Sequence, residues 1–326
     1  MSRLFRDVEG GPRCPHGSVV CIGAFDGLHL GHQALVRHAV ARARALTTQT
    51  VRPETVALSF EPLPREFFAG ANPPPRLLLP RAKVEGLCAL GVDQVGLLRF
   101  DAALSSLTAE AFVQRVLVGR LAAREVWVGP GFRFGKSRSG DLTLLQQIGA
   151  DLAGSGQGFR AGEIEPVLLD GERVSSTRIR AALQAGDFAD AQRLLGRPYA
   201  IGGRVVRGRQ LGRTLGFPTA NIRLAGRKPA LSGIYAAYVH GIGDAPRPAV
   251  ASLGTRPTVD GVEPLLEAHV FDFDGDIYGC RIEVEFVAKL RDEVRYSDLA
   301  ALTAQMQRDA EQARALLMQQ QPRAFA

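Results

Sequence analysis

Cysteine is scarce and unpaired in this 326-residue chain: Cys14, Cys21, Cys88 and Cys280 stand apart with no CxxC spacing. That excludes a disulfide framework and a zinc site, and predicts reduced, mostly buried thiols. No apolar run approaches the roughly 18 residues a membrane span needs. The opening MSRLFRDVEGGPRCPHG also lacks the apolar stretch of a secretory leader. A cytoplasmic protein without a membrane partner is expected. Lysine is nearly missing, since of 40 basic residues only Lys83, Lys136, Lys228 and Lys289 are lysines. Arginine forks suit phosphate, but an excess spread this evenly is equally a bias of composition. The formal net charge is +7, yet acidic residues are mixed in throughout and no basic cluster is interleaved with aromatics, so nucleic acid is not an expected partner. Repeats and low-complexity tracts are absent as well.

What is present is enough apolar residue, 46%, to fold, and a length about twice the ~150 residues typical of one domain. From about residue 18 to 183, short apolar runs alternate with helical periodicity: SVVCIGAF and a helix through Leu35, Val36 and Val40; VALSF and VEGLCALG; DQVGLLRF and AEAFVQRVLV; EVWVG and DLTLLQQIG. This is the pattern of an α/β domain with a covered parallel sheet, whose ligands sit beyond the carboxyl ends of the strands. From about residue 200 the period becomes two: AIGGRVVRG, FPTANIRL, GIYAAYVHG, PAVASLG, LLEAHVFDF and RIEVEFVAKL. Six short strands between turns read as a small barrel or sandwich. A final helix, 297–319, carries Leu299, Leu302, Met306, Ala310, Ala313 and Leu317 on one face, with Ser297 as its expected N-cap. Gly186 and the Gly196–Pro198 segment break the connection between the halves, so the domains are expected at 1–185 and 186–326.

Two strings carry chemistry. In GAFDGLHLGH, residues 23–32, a strand runs into Gly23, and Gly27 and Gly31 lead to a helix expected from His32. Glycine lets main chain approach a phosphate, and a helix N-terminus adds free N–H groups and a positive dipole end. His29 and His32, three apart, can face one ligand and donate to phosphate oxygens; a metal pair or two exposed histidines is the alternative. In VSSTRIRAAL, residues 174–183, Ser175, Ser176 and Thr177 precede a helix with Ile179, Ala182 and Leu183 inward. One hydroxyl serves as a cap, while Thr177 and Arg178 in the first turn suit an anion. GPGFRFGKSRSG, residues 129–140, ends like a P-loop but has Pro130 where the motif needs glycine, and its glycines miss the dinucleotide spacing.

The second string is GRTLGFPTANI, residues 212–222. Gly208, Gly212 and Gly216 with Arg207, Arg209 and Arg213 form a basic, flexible loop leading to Pro218, Thr219, Ala220 and Asn221. A threonine hydroxyl and an asparagine carbonyl two apart on extended chain point the same way, a hard-oxygen pair for Mg²⁺; a plain Gly/Pro turn with a Thr–Asn cap is the other reading. Glu267 shares one strand face with Leu265 and His269. Among apolar neighbours a carboxylate needs a partner or a task, and general base fits; a water-facing edge glutamate is the alternative.

These strings, with SFEPLPREFF, KVEGLCALGVD, LEAH, GTRPTV and DIYG, resemble the bacterial bifunctional riboflavin kinase/FMN adenylyltransferases over nearly the whole chain. The resemblance implies a Rossmann-like nucleotidylyltransferase domain with an HxGH motif, then a six-stranded β-barrel kinase domain with a C-terminal helix. It implies ATP, riboflavin and FMN as substrates and Mg²⁺ as cofactor. Gly23, Phe25, Asp26, Gly27 and Gly31 would surround the nucleotide. His29 and His32 would stabilise ATP phosphates while FMN phosphate attacks the α-phosphorus, with Arg178, Ser175, Ser176 and Thr177 on the pyrophosphate. Gly208, Gly212, Arg213, Gly216, Pro218, Thr219 and Asn221 would bind Mg·ATP, Thr219 and Asn221 holding the metal, and Glu267 would take the proton of the ribityl hydroxyl. Gly131, Leu63 and Ala24 replace the Asn or Asp, the His of FxPHP and the Asn usual there, which predicts a transferase that works at reduced efficiency. A riboflavin kinase with a degenerate first half, or a flavin-binding regulator, is the competing reading.

Overall fold

The computed structural model describes residues 3–70, 72–208, 212, 215–258 and 261–319, and contacts divide it into two compact units. The first, Met1–Pro74 with Pro80–Ser175, is built on a six-stranded parallel sheet. Its strands are β1 Arg3–Phe5, β2 Ser18–Ile22, β3 Glu54–Glu61, β4 Gln94–Arg99, β5 Ala123–Val128 and β6 Arg160–Glu163, in the order β1-β4-β3-β2-β5-β6. Every residue of β2 is buried, as a central strand covered on both faces requires. Between the strands run α1 Leu30–Ala45, α2 Pro64–Phe68, α3 Pro80–Ala89, α4 Ala102–Ser105, α5 Ala109–Phe112, continued by a π-helical stretch to Arg120, and α6 Leu142–Asp151. α1 buries Leu35, Val36, Ala39, Val40 and Ala43, the stripe its periodicity demands. The expected strands and helices are all present, and the edge strands β1 and β6 are additions.

Beyond β6, the hairpin β7 Leu168–Leu169 and β8 Glu172–Arg173 precedes α7 Ser176–Ala185 and α8 Phe188–Leu195. Gly186 and Gly196 both take positive φ, +76° and +73°, and end these helices in the conformation glycine adopts without strain. The two helices pack on each other and belong with the second unit, Ser176–Ala326 plus Pro75–Leu79. Contacts therefore part the chain before α7, earlier than the glycine break at 186.

The second unit closes six antiparallel strands, β9 Ala200–Val206, β10 Ala220–Arg223, β11 Gly233–His240, β12 Arg247–Thr258, β13 Gly261–Val270 and β14 Arg281–Arg291, into a barrel ordered β10-β13-β12-β11-β14-β9. The choice between barrel and sandwich is thus settled for the barrel. Ala249, Ala251 and Leu253 face Val270, Ala268 and Leu266 in register and are fully buried, so small and large side chains alternate to fill a narrow interior. α9, Leu299–Met318, packs Ala310, Ala313 and Leu317 against Phe217, Tyr238 and Phe271. Its N-cap is Asp298, accepting from Ala301 N–H at 2.8 Å, in place of the expected Ser297, whose hydroxyl bonds Asp298 instead. Leu299 at the helix start stays exposed. Of the thiols, Cys14 and Cys21 are buried, Cys88 is half-buried and Cys280 is exposed, fewer inside than composition suggests.

Candidate active sites

In the parallel sheet the chain leaves β2 toward β3 on one side, while β5 returns on the other. That reversal opens a crevice at the carboxyl end of β2, the ligand position of such sheets, and residues 23–32 occupy it. Gly23 N–H bonds Leu58 C=O at 3.1 Å. Phe25, Gly27 and Leu28 turn through φ of +49°, +85° and +45°. Such backbone strain over-determined by its surroundings is a mark of functional loops. Phe25 is fully buried and Asp26 nearly so. The helix starts at Leu30, two residues before the expected His32, because His29 is the N-cap: its Nδ1 accepts from His32 N–H at 3.3 Å. A ring nitrogen that accepts carries no proton, so neutral His29 is protonated on Nε2. The imidazoles of His29 and His32 stack at 3.6 Å, and the Phe25 ring meets His32 edge-on at 5.4 Å. A Cβ at Gly31 would stand 3.2 Å from His29 Cε1, which is why the middle of H-x-G-H is glycine.

Burial, then the charge of Arg173, pushes His29 down to about 4. Burial, then His29, Lys83 and Arg173, holds His32 well below the usual histidine value. Both are neutral donors near pH 7. His32 Nδ1 is buried with no hydrogen-bond partner among the described residues. Ser59 Oγ donates to Ala24 C=O at 3.2 Å, tying β3 to the loop. Arg173 Nη2 donates to Pro130 C=O at 3.1 Å. Gly131 takes φ of +73°, a region open to Gly, Asn and Asp at little cost, and its N–H donates to Glu163 Oε2 at 3.1 Å. Leu63 is 5% exposed, its N–H bonded to Glu66 Oε2 at 2.9 Å. The Gly129–Gly140 stretch closes on itself through Phe134 and Gly140, a turn and not a P-loop.

At the carboxyl ends of β3 and β4 lies an aromatic group that the motifs did not single out. Phe60, Phe67 and Phe68 each meet Phe100 edge-on at 5.4 to 5.8 Å, and Phe68 remains 69% exposed. Ser175 ends the first unit, and Ser176, Thr177 and Arg178 form the first turn of α7 in the second. Arg178 Nη2 stands 3.9 Å from Asp190 Oδ2 on α8.

The second site is set by barrel register. Asn221 on β10 and Ser252 on β12 lie directly across from Glu267 on β13, so all three share one face. Asn221 Nδ2 donates to Thr219 Oγ1 at 3.3 Å and to Thr219 C=O at 3.1 Å. This turns Asn221 Oδ1 outward from that pair; it is buried and without a hydrogen-bond partner among the described residues. A Cβ at Gly208 would stand 2.6 Å from that oxygen, so the glycine keeps space free beside it. A Cβ at Gly212 would overlap the carbonyl oxygen of Phe217, and the Phe217 N–H closes back on Gly212 C=O at 2.7 Å. Gly216 takes φ of +83°. Arg213, and with it Arg209, lies outside the described residues. His269 Nδ1 donates to Pro218 C=O at 2.8 Å, pinning the Pro218–Thr219 turn to β13.

Two cavities meet at Thr219. One, of about 470 Å³, is lined by Thr219, Asn221, Val205 and the Phe273–Tyr278 turn. The other, of about 430 Å³, lies between the outer barrel face and α9 and is lined by Thr219, Ser252, Leu265, Glu267, His269 and Met306, among others. Leu265, Glu267 and His269 thus share one wall, as alternation predicts. Glu267 is half-buried there. Arg291 and Asp309 also border this cavity; they are 18 positions apart, and no local pattern announces their pairing.

Comparison with known proteins follows this division. The family described as FAD synthetase matches residues 11–178, and that described as riboflavin kinase matches 195–317. The bifunctional riboflavin kinase/FMN adenylyltransferase of Escherichia coli strain K12 is 42% identical over 94% of this chain and 95% of its own. The protein of that name from Pseudomonas fluorescens is 46% identical over 92% and 93%, and that from Haemophilus influenzae 40% over 96% and 98%. A crystal structure described as a macrolide-efflux protein from Streptococcus pneumoniae is 30% identical with a TM-score of 0.70, over 96% of this chain and 98% of that one.

Proposed function

The chain belongs to the family of bifunctional riboflavin kinase/FMN adenylyltransferases, making FMN from riboflavin and ATP and then FAD from FMN and ATP, and we propose that each reaction occupies one of the two sites above. Residues 1–185 are assigned to the adenylyltransferase and 186–326 to the kinase, a division compatible with family matches that end at 178 and resume at 195. Transport, the activity named for the Streptococcus pneumoniae protein, is not proposed, because the flavin enzymes match at higher identity over the same span. No helix among the described residues is long and apolar enough to cross a membrane. Since both reactions consume ATP, we place the enzyme in the cytoplasm.

In the kinase, riboflavin enters the 430 Å³ cavity with its ribityl hydroxyl toward Glu267, and ATP lies along the 470 Å³ cavity, the two meeting at Thr219. Glu267 takes the hydroxyl proton as that oxygen attacks the γ-phosphorus and ADP leaves, general-base work worth about 10²–10⁴ in rate. The buried, unpartnered Asn221 Oδ1 is a hard oxygen suited to Mg²⁺, and Thr219 Oγ1, which here accepts from Asn221 Nδ2, would join it once the amide turns over, the metal's charge offsetting that of the triphosphate. Gly208, Gly212, Gly216 and Pro218 shape the loop proposed to cover the phosphates, and Arg213 is assigned to them from the sequence motif alone.

In the adenylyltransferase, the FMN phosphate attacks the α-phosphorus of ATP and pyrophosphate departs. No covalent nucleophile is needed, only positioning and charge stabilisation. Neutral His29, with Nε2–H free to donate, and His32 hold phosphate oxygens together with the Gly23–Gly31 main chain, which Phe25 and Asp26 shape. By the family's motif alone, Ser175, Ser176, Thr177 and Arg178 are assigned to the pyrophosphate. Exposed Phe68 in its aromatic group offers a face for the isoalloxazine ring. The observation that carries the kinase half of the proposal is the register setting Asn221, Glu267 and Ser252 side by side, Asn221 lining one cavity and Glu267 and Ser252 the other. Chromatography of riboflavin, FMN and FAD after incubation with Mg·ATP tests it; FMN without FAD, even from added FMN, would overturn the transferase half.

A further inference from the structure

Lys83 is one of the chain's four lysines, set among arginines, and it is fully buried in α3. A buried ammonium is rare, and its desolvation must be offset by bonds and nearby charge. Its Nζ donates to Ser59 Oγ and to Phe60 C=O, each at 3.4 Å. Ser59 Oγ in turn donates to Ala24 C=O at 3.2 Å. The two bonds form a line from α3 through the end of β3 to the loop that holds the histidine pair.

We propose that Lys83 is a positioning residue of the adenylyltransferase: through Ser59 it holds the main chain that presents His29 and His32, and its charge favours a polyphosphate at that loop. This rests on reading residues 23–32 as the ATP site. The charged and titratable groups acting on His32 are His29, Lys83 and Arg173, and Asp26 is buried in the same loop. All three of the former disfavour a charged His32.

The test uses the full chain and three variants: Lys83→Met, Ser59→Ala and His32→Asn. A wild-type melting transition of the first unit, which contains Ser59, Lys83 and His32, reports that this unit remains folded, and FMN formation from riboflavin checks the other unit. The expected results are FAD synthesis from FMN and ATP lowered roughly 10²-fold in Lys83→Met and about tenfold in Ser59→Ala, with FMN formation unchanged. The ring signals of His32 followed by NMR titrate at higher pH in Lys83→Met and stay in place in Ser59→Ala, which keeps the lysine charge, a difference that loosened packing around His32 would not produce. Unaltered FAD synthesis in Ser59→Ala and Lys83→Met, or lost synthesis with an unmoved His32 midpoint in Lys83→Met, overturns the proposal. If His32→Asn also keeps full FAD synthesis, the reading of the ATP site falls with it; if only that variant is inactive, the assignment of Lys83 fails alone.

Discussion

Asp309→Ala removes the anchor that holds α9 over the proposed riboflavin cavity. Asp309 is 4% exposed. It accepts from Arg291 Nε at 2.9 and 3.1 Å, from Arg291 Nη2 at 2.6 Å and from Gln305 Nε2 at 2.9 Å. Breaking a buried pair by deleting one partner costs about 3–5 kcal/mol. The Arg291 side chain is 22% exposed, so water recovers part of its solvation and the expected loss is about 2–3 kcal/mol. At roughly 2–4 °C per kcal/mol for a domain of this size, calorimetry should find the second unit melting about 4–12 °C lower. Because α9 contributes Leu302, Met306 and Asp309 to the cavity wall, the KM for riboflavin should rise, while FAD synthesis from added FMN is unaffected. An unchanged melting point together with an unchanged KM would refute the reasoning.

Gly208→Ala places a methyl against Asn221 Oδ1; FMN formation should fall at least tenfold and the Mg²⁺ needed for half-maximal rate should rise, read from rates across a Mg²⁺ series. Gly31→Ala crowds the His29 ring and should lower FAD synthesis while FMN formation persists, measured by product chromatography. Acid should destabilise the first unit through His29, pushed from 6.5 down to about 4. Below pH 6.5 the unfolded chain binds a proton that the folded chain refuses, so stability is complete above that pH and falls by up to about 3 kcal/mol as pH approaches 4. Denaturant midpoints that stay flat from pH 7 to 4.5 in wild type and His29→Asn alike would contradict this.

Much of this was legible in the sequence because period and punctuation are local. β2, β3, β4 and β5 announced themselves as apolar runs, and all six barrel strands as alternation between Gly, Pro and Asp. The histidine loop and the Pro218–Asn221 turn were readable because glycine, proline and short polar side chains have few structural uses. Alternation even put Leu265, Glu267 and His269 on one wall. What depends on tertiary contact was not readable. The three-residue β1 is too short for a period, and α7 reads as the end of the first half until its packing on α8 is seen. His29 serves as N-cap through its ring nitrogen, so a search for Ser, Thr, Asp or Asn misses the true helix start. Arg291 and Asp309 meet only because β14 delivers one to α9. Lys83 left one faint signal, a lysine where arginine is the rule.

The central claim is that the two reactions use separate sites, and a reciprocal pair of variants tests it most directly. Glu267→Gln supplied with FMN and Mg·ATP should make FAD at the wild-type rate yet form FMN from riboflavin about 10²–10⁴ times more slowly. His29→Asn/His32→Asn supplied with riboflavin should accumulate FMN and make almost no FAD. Loss of both products in either variant, or of neither, would contradict the account.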